Sequence, residues 1–244
     1  MTNLTPDPRE SQTFVFHETR FRKIILAVAR FVFSIVTDLD VRGIDNLPAH
    51  GACVLASNHN SNFDSFILQL VMDRPLFFMG KAELFQKPVL SWAYRQLGAF
   101  PVNRGASDTW ALDHARKVLD KGLVLAMYPE GTRSRGHGLA VAKTGAARLA
   151  IEKNAVIVPA SLLESEKVFK RFPKRTKITI CFCPAITPVP GDDPLAITDQ
   201  LMFAIAQTLP SSIRMGSTSS ARAILKKWPA LRKAVMFFTT ERSE

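Results

Sequence analysis

The sequence predicts an α/β fold, a mixed and partly parallel sheet covered by helices, and three observations carry that expectation. Strand-like and helix-like segments alternate along the chain. Several strand candidates, such as Cys53–Ala56 and Leu123–Met127, are short unbroken apolar runs, the pattern of strands covered on both faces. Two very polar stretches, SNHNSNFDSF (57–66) and YPEGTRSRGHG (128–138), follow those runs directly. The ends of parallel strands are where such sheets place ligands.

Taken in order, residues 1–18 are expected to be mobile. An amphipathic helix covers about 19–37, with Phe21, Ile24, Ile25, Val28, Phe31, Val32 and Ile35 on one face. Two placements fit it: packed on the core, or lying in a membrane interface. Its apolar run spans about 20 Å against about 30 Å of hydrocarbon, and Arg30 interrupts it, so it is too short to cross a bilayer. LDVRGIDNLP reads as a strand and turn, and Phe63–Val71 as a helix after the first polar loop. Leu76–Met79 is a strand, Ala82–Leu97 holds helix broken by Pro88, and Ala99–Val102 is a strand. Ser107 is placed to cap a helix running to Lys121, which Gly122 ends. Helix is expected over Thr144–Lys153 and Leu195–Leu209, and strand over Ala155–Leu162 and Lys177–Phe182. After the linker SSIRMGSTSS, the tail mixes Arg222, Lys226, Lys227, Arg232 and Lys233 with Trp228, Phe237 and Phe238. That mixture suits an anionic membrane surface, or a helix docked on the domain with a solvated basic side. Three regions follow: 1–40 with the amphipathic helix, a catalytic domain over 41–210, and a basic amphipathic tail over 211–244.

Lys and Arg number 32 against 21 Asp and Glu, giving +11. The surplus favours an anionic partner: nucleic acid, an acidic membrane or a phosphorylated substrate. Phe is abundant at 17 while Tyr is scarce at 2, which leans toward apolar burial or lipid contact over a polar binding face. The three cysteines form no CxxC pair and read as reduced packing residues. The polar first twenty residues carry no secretory signal.

Chemistry concentrates in the polar loops. His59 lies five residues before Asp64. A carboxylate on one imidazole nitrogen fixes the tautomer and frees the other nitrogen to take a proton. The same residues also read as a capping box, with Ser61 as N-cap and Asp64 reaching back. In the second loop Glu130 is suited to hold Arg133 or a backbone amide. Gly131 permits a tight turn, Thr132 offers a hydroxyl, and Arg133 a planar fork for phosphate. Arg104 closes a third polar corner.

Together these blocks resemble the glycerolipid acyltransferases, and within them the lysophosphatidic acid acyltransferases. NHNSNFD (58–64), GAFPVNR (98–104), YPEGTRS (128–134) and VIVPA (156–160) stand in the family's order and spacing over about residues 40–165. Lys143-x-Gly145 is similar to the segment joining the last two blocks. Tyr128 stands where Phe is usual and Ala160 where Val is common, and neither is expected to touch the chemistry. The resemblance implies a glycerol-3-phosphate acyltransferase-like fold with His59 as general base, oriented by Asp64. It implies that Arg104, Glu130, Gly131, Thr132 and Arg133 bind the acceptor. It also implies an acyl-CoA or acyl carrier protein donor, a lysophospholipid acceptor, and no metal or cofactor. No G-x-S-x-G nucleophile elbow is present, as direct attack on an activated thioester requires none. The expected location is the cytoplasmic face of the cell membrane, peripheral or monotopic, on an anionic surface. Two alternatives stay open: the same chemistry on glycerol 3-phosphate, another lysophospholipid, a lyso-aminolipid or a glycolipid; and, from a different class, a basic nucleic-acid-binding module. On the membrane reading no nucleic acid is bound.

Overall fold

The structure is a computed structural model that describes residues 7–103, 108–134 and 138–210. The tail over 211–244, Arg104 and Ser107 lie outside the described residues. The strands are β1 (Thr37–Arg42), β2 (Cys53–Ser57), β3 (Leu76–Lys81), β4 (Ala99–Val102), β5 (Val124–Met127), β6 (Val156–Leu163) and β7 (Thr176–Phe182). The helices are α1 (Arg20–Val36), α2 (Asp64–Val71), α3 (Pro88–Gln96), α4 (Thr109–Asp120), α5 (Gly145–Glu152) and α6 (Pro194–Thr208).

One sheet holds all seven strands in the order β1-β7-β6-β2-β5-β3-β4. Every neighbouring pair is parallel except β6 with β7, which is antiparallel. The mixed, partly parallel sheet expected from the sequence is thus the one observed. Both faces are covered, which explains the unbroken apolar runs. On β2, Val54 and Ala56 join the core that includes Ala115, Leu149 and Leu201 of α4, α5 and α6. Cys53 and Leu55 join the opposite core with Leu26 of α1 and Ile67 and Leu68 of α2. The cysteines are free; Cys53 and Cys183 are buried, and burial pushes each thiol up to about 12, which suits packing residues.

Most local signals act where the sequence places them, with shifts of a residue or two. The start of the chain, expected to be mobile, is instead tied down over the described residues 7–18: Arg9 pairs with Asp108, and Phe14 and Phe16 pack on His114. As expected, Ala82–Leu97 holds two short helices, a 3-10 turn over Ala82–Phe85 and then α3, which Pro88 begins, since a proline lacks only an amide that the first turn leaves unpaired. Helix α4 is capped by Asp108, whose carboxylate accepts the amide of Ala111. The boundary drawn at residue 40 falls inside β1, which pairs with β7 over its whole length. Residues 37–40 therefore belong to the sheet and not to a separate segment.

Helix α1 departs from a simple reading of its wheel. The apolar face faces outward: Ile24, Val28, Phe31, Val32 and Ile35 are exposed, Phe31 at 68%. The face turned to the domain carries Arg22, Leu26, Phe33 and Val36. Arg22 is fully buried, and its Nη2 donates to the side-chain oxygen of Gln69 and to the carbonyl of Leu76. Arg30 donates to the carbonyl of Leu70. Hydrogen bonds from two arginines thus complement apolar contact on the inner face. No helix among the described residues is long and apolar enough to cross a membrane.

Gly98 turns the chain from α3 into β4 at φ +86°, and a Cβ there would sit 2.4 Å from the carbonyl oxygen of Leu76. Gly98→Ala is expected to cost about 1–3 kcal/mol through backbone strain alone. Urea unfolding monitored by circular dichroism checks this, and a midpoint equal to wild type contradicts it.

Candidate active site

The register of the sheet brings the two polar loops together. Strands β2 and β5 are parallel neighbours, with Ala56 opposite Met127, so the loops after them leave the sheet side by side. The amide of Ser134 donates to the carbonyl of His59 at 2.7 Å, and the Ser134 hydroxyl donates to Oδ1 of Asn60 at 2.7 Å. The amide of His59 donates to Oε1 of Glu130 at 3.1 Å. A third strand contributes as well. Asn58 and Asn60 each donate a side-chain amide to the carbonyl of Leu162 on β6, at 3.0 and 2.8 Å. Asn58 Oδ1 accepts the Leu162 amide at 2.8 Å.

His59 and Asp64 are in contact. Nδ1 of His59 lies 2.7 Å from Oδ2 of Asp64. With the carboxylate as acceptor, Nδ1 carries the proton and Nε2 holds the lone pair. Among the described residues Nε2 has no hydrogen-bond partner. The capping reading holds in part at the same time. Asp64 Oδ2 also accepts the amides of Asn60 and Ser61 at 2.7 and 2.9 Å, and Ser61 Oγ accepts the amide of Phe63. Helix α2 begins at Asp64 itself, so the carboxylate sits at the positive end of that helix. Its other oxygen accepts the hydroxyl of Ser165, just after β6, at 2.6 Å. Asp64 is fully buried, and His59 nearly so, at 9% exposed.

His114 shows how different an ordinary buried histidine looks. It sits among Phe14, Phe16, Phe100 and Trp110, and burial pushes it down to about 4. It is therefore neutral near pH 7 and packs as an aromatic ring.

Glu130 is a brace. Both of its oxygens are taken by backbone amides, Oε1 by His59 and Oε2 by Ala140 at 2.7 Å. Of its two expected partners, Arg133 or a backbone amide, the structure selects amides. Burial raises its carboxyl to about 7, while the two amide donors pull it down and the Asp64 charge adds to the rise. Gly131 adopts φ +69°, and a Cβ there would meet the Lys143 side chain at 3.3 Å. Thr132 is exposed and Arg133 half-buried. Neither side chain has a hydrogen-bond or ion-pair partner among the described residues, so both are available to a ligand. Arg133 directly precedes Ser134, the residue bonded to His59.

Sequence reasoning did not find Asn58, Asn60, Ser134 or Ser165 as supports, because each acts through a partner remote in the chain. It also misjudged Tyr128, which was expected to stand apart from the chemistry. The Tyr128 ring stacks on the imidazole of His59, with centroids 4.0 Å apart and 20° between planes.

The site falls within a stretch with known relatives. A family model described as Acyltransferase matches residues 38–163. A chloroplastic 1-acyl-sn-glycerol-3-phosphate acyltransferase of Brassica napus is 33% identical over 132 residues, covering 53% of this chain and 38% of the relative. A 1-acyl-sn-glycerol-3-phosphate acyltransferase of Escherichia coli strain K12 is 32% identical over 117 residues, covering 46% of each. One from Chlamydomonas reinhardtii is 30% identical over 186 residues, covering 73% of this chain and 55% of the relative. The chain spans about half the length of the curated relatives it matches, or less. The solved structure of a 1-acyl-sn-glycerophosphate acyltransferase from Thermotoga maritima superposes with TM-score 0.56 at 23% identity, covering 76% of this chain and 74% of that one. That likeness establishes the fold.

Glu130→Gln replaces two acceptors with one and turns an amide toward a backbone amide. It is expected to lower turnover about 100-fold by loosening the His59 backbone. The sign of the pH effect follows from the raised carboxyl. Its contribution to stability is fully present below its ordinary value of 4.5 and is lost as pH rises through about 7. The melting-temperature advantage of wild type over Glu130→Gln should therefore be larger near pH 5 than near pH 8, which thermal scans at the two values check.

Proposed function

The chain belongs to the acyltransferase family, and from that premise we propose that it moves an acyl group from an acyl thioester to the free hydroxyl of a lysophospholipid. The acceptor that the relatives favour is 1-acylglycerol 3-phosphate, and the product is then phosphatidic acid. The donor is acyl-CoA or an acyl carrier protein thioester.

The observation that carries this reading is the 2.7 Å contact between His59 Nδ1 and Asp64, which leaves the lone pair of Nε2 without a partner among the described residues. Nε2 takes the proton of the acceptor hydroxyl as the oxygen attacks the thioester carbonyl carbon. The carbon–sulfur bond then breaks, and the imidazolium returns the proton to the departing thiolate. Asp64 stabilises the imidazolium while it lasts. The thioester is activated already, so no enzyme nucleophile is needed. A general base so placed contributes about 10²–10⁴-fold. Arg133 and Thr132, without internal partners among the described residues, are suited to the acceptor's phosphate. Gly131 supplies the bend that presents them, Glu130 holds that bend against His59, and Arg104 adds a second cation.

The acceptor resides in a bilayer, and the outward face of α1 supports contact with one. Its exposed apolar stripe, Ile24, Val28, Phe31 and Ile35, has Arg20 and Lys23 beside it, both exposed. Phe21 and Trp92 meet with ring centroids 4.2 Å apart and link this stripe to the exposed Val89 and Leu90 of α3. A patch of bulky apolar side chains near basic residues fits an anionic membrane surface.

Purified protein with 1-acylglycerol 3-phosphate and acyl-CoA should release free thiol and form phosphatidic acid, identified by mass spectrometry. His59→Ala should reduce this at least about 100-fold while keeping the wild-type circular dichroism; an unimpaired His59→Ala protein refutes the mechanism. A panel of acceptors in the same assay separates 1-acylglycerol 3-phosphate from other lysolipids. Val28→Glu with Phe31→Glu should weaken sedimentation with anionic vesicles without changing the melting temperature. Equal sedimentation of the double variant and wild type removes α1 from the membrane contact.

A further inference from the structure

We propose that Tyr128 is a positioning residue for His59, and that Ser65 holds it in that role. The inference rests on the acyl-transfer reading above. The hydrogen bond from Nδ1 to Asp64 anchors one edge of the imidazole, but a hydrogen bond tolerates bending, so the ring keeps limited rotation about Cβ–Cγ. Rotation would swing Nε2 away from the acceptor hydroxyl, and small misplacements of a reacting atom are costly to rate. A flat surface against the ring face removes that freedom. Tyr128 supplies one, with ring centroids 4.0 Å apart and planes within 20°.

Tyr128 is itself held at both ends. Its backbone leaves β5 directly after Met127, and its carbonyl accepts the amide of Gly131 at 2.9 Å. Its hydroxyl lies 2.7 Å from Oγ of Ser65. Ser65 follows Asp64 in the first turn of α2. One helical turn thus fixes the imidazole twice: Asp64 in the ring plane, and Ser65 through Tyr128 over the ring face. Desolvation, with the Asp64 charge adding, pushes the Tyr128 phenol well above its ordinary value and keeps it protonated. The ring also offers its negative π-face to the imidazole that becomes cationic during the reaction. The hydroxyl is the feature a phenylalanine lacks at this position.

Four variants, one of them double, and one spectroscopic measurement test this. Tyr128→Leu keeps apolar bulk and removes the flat ring. It should lower kcat about tenfold while leaving both KM values within about twofold, since substrate contacts are untouched. Tyr128→Phe keeps the stack and should retain kcat within about threefold. Ser65→Ala removes the same hydrogen bond, so the Tyr128→Phe, Ser65→Ala double variant should be no slower than the slower single variant. In proton NMR the His59 ring resonances, assigned by their loss in His59→Ala, should move downfield in Tyr128→Leu and stay near wild type in Tyr128→Phe. Full kcat in Tyr128→Leu, a loss confined to KM, or His59 resonances unmoved in that variant overturns the proposal. If Tyr128→Leu does not fold, additive losses in the double variant overturn it instead. A wild-type protein that transfers no acyl group overturns the earlier reading, and the NMR comparison then decides alone whether Tyr128 sets the ring.

Discussion

The carboxylate of Asp64 is the constraint on which the site depends. It is fully buried, and it accepts from the imidazole of His59, the amides of Asn60 and Ser61, and the hydroxyl of Ser165. A buried charge is costly unless it is paired and hydrogen-bonded. The four donors meet that demand, and in doing so they dictate the path of the loop between β2 and α2. The chain must fold back so that residues 59–61 face the first turn of the helix. The position of His59 thus follows from satisfying Asp64 as much as from any property of the histidine. Of the loop's polar side chains, His59 meets the carboxylate, and Asn58 and Asn60 meet Leu162 on the neighbouring strand.

The second loop is fitted to the first by the sheet. Parallel pairing of β2 with β5 and β6 delivers three chain segments to one edge. Asn58 and Asn60 tie the first loop to Leu162, and Glu130 and Ser134 tie the second loop to His59 and Asn60. The groups consumed by this bracing differ from those left over. Glu130 has both oxygens occupied, whereas Thr132 and Arg133 keep their polar groups without partners among the described residues. Adjacent residues in one short motif therefore divide between holding the site and meeting a ligand. That division is the one the acyl transfer proposed above calls on, with one set of groups holding position and the other meeting the acceptor.

Helix α1 shows how far an apolar wheel can mislead about direction. Its richest apolar stripe faces outward, while its inner face carries a buried arginine bonded to Gln69 and to the carbonyl of Leu76. Leu26, Phe33 and Val36 provide the apolar contact on that side. The helix is tied to the domain yet leaves Ile24, Val28, Phe31 and Ile35 exposed. This arrangement is what the membrane contact proposed above requires of α1.

Some of this was determined by the chain's local pattern. Unbroken apolar runs, proline and glycine punctuation and helical periodicity placed the strands and helices to within a residue or two, because those signals act over a few residues. His59 with Asp64 was legible for the same reason: five positions bridge one loop and one helical turn. The tertiary structure alone decided which face of α1 is covered, since periodicity gives a stripe but not its direction. It also decided that Glu130 braces backbone amides, that Ser165 completes the Asp64 shell 101 residues away, and that Tyr128 lies flat on His59. Each of these contacts joins the ends of different strands. They exist only once β2, β5 and β6 lie side by side, and no spacing along the chain encodes which strand ends become neighbours.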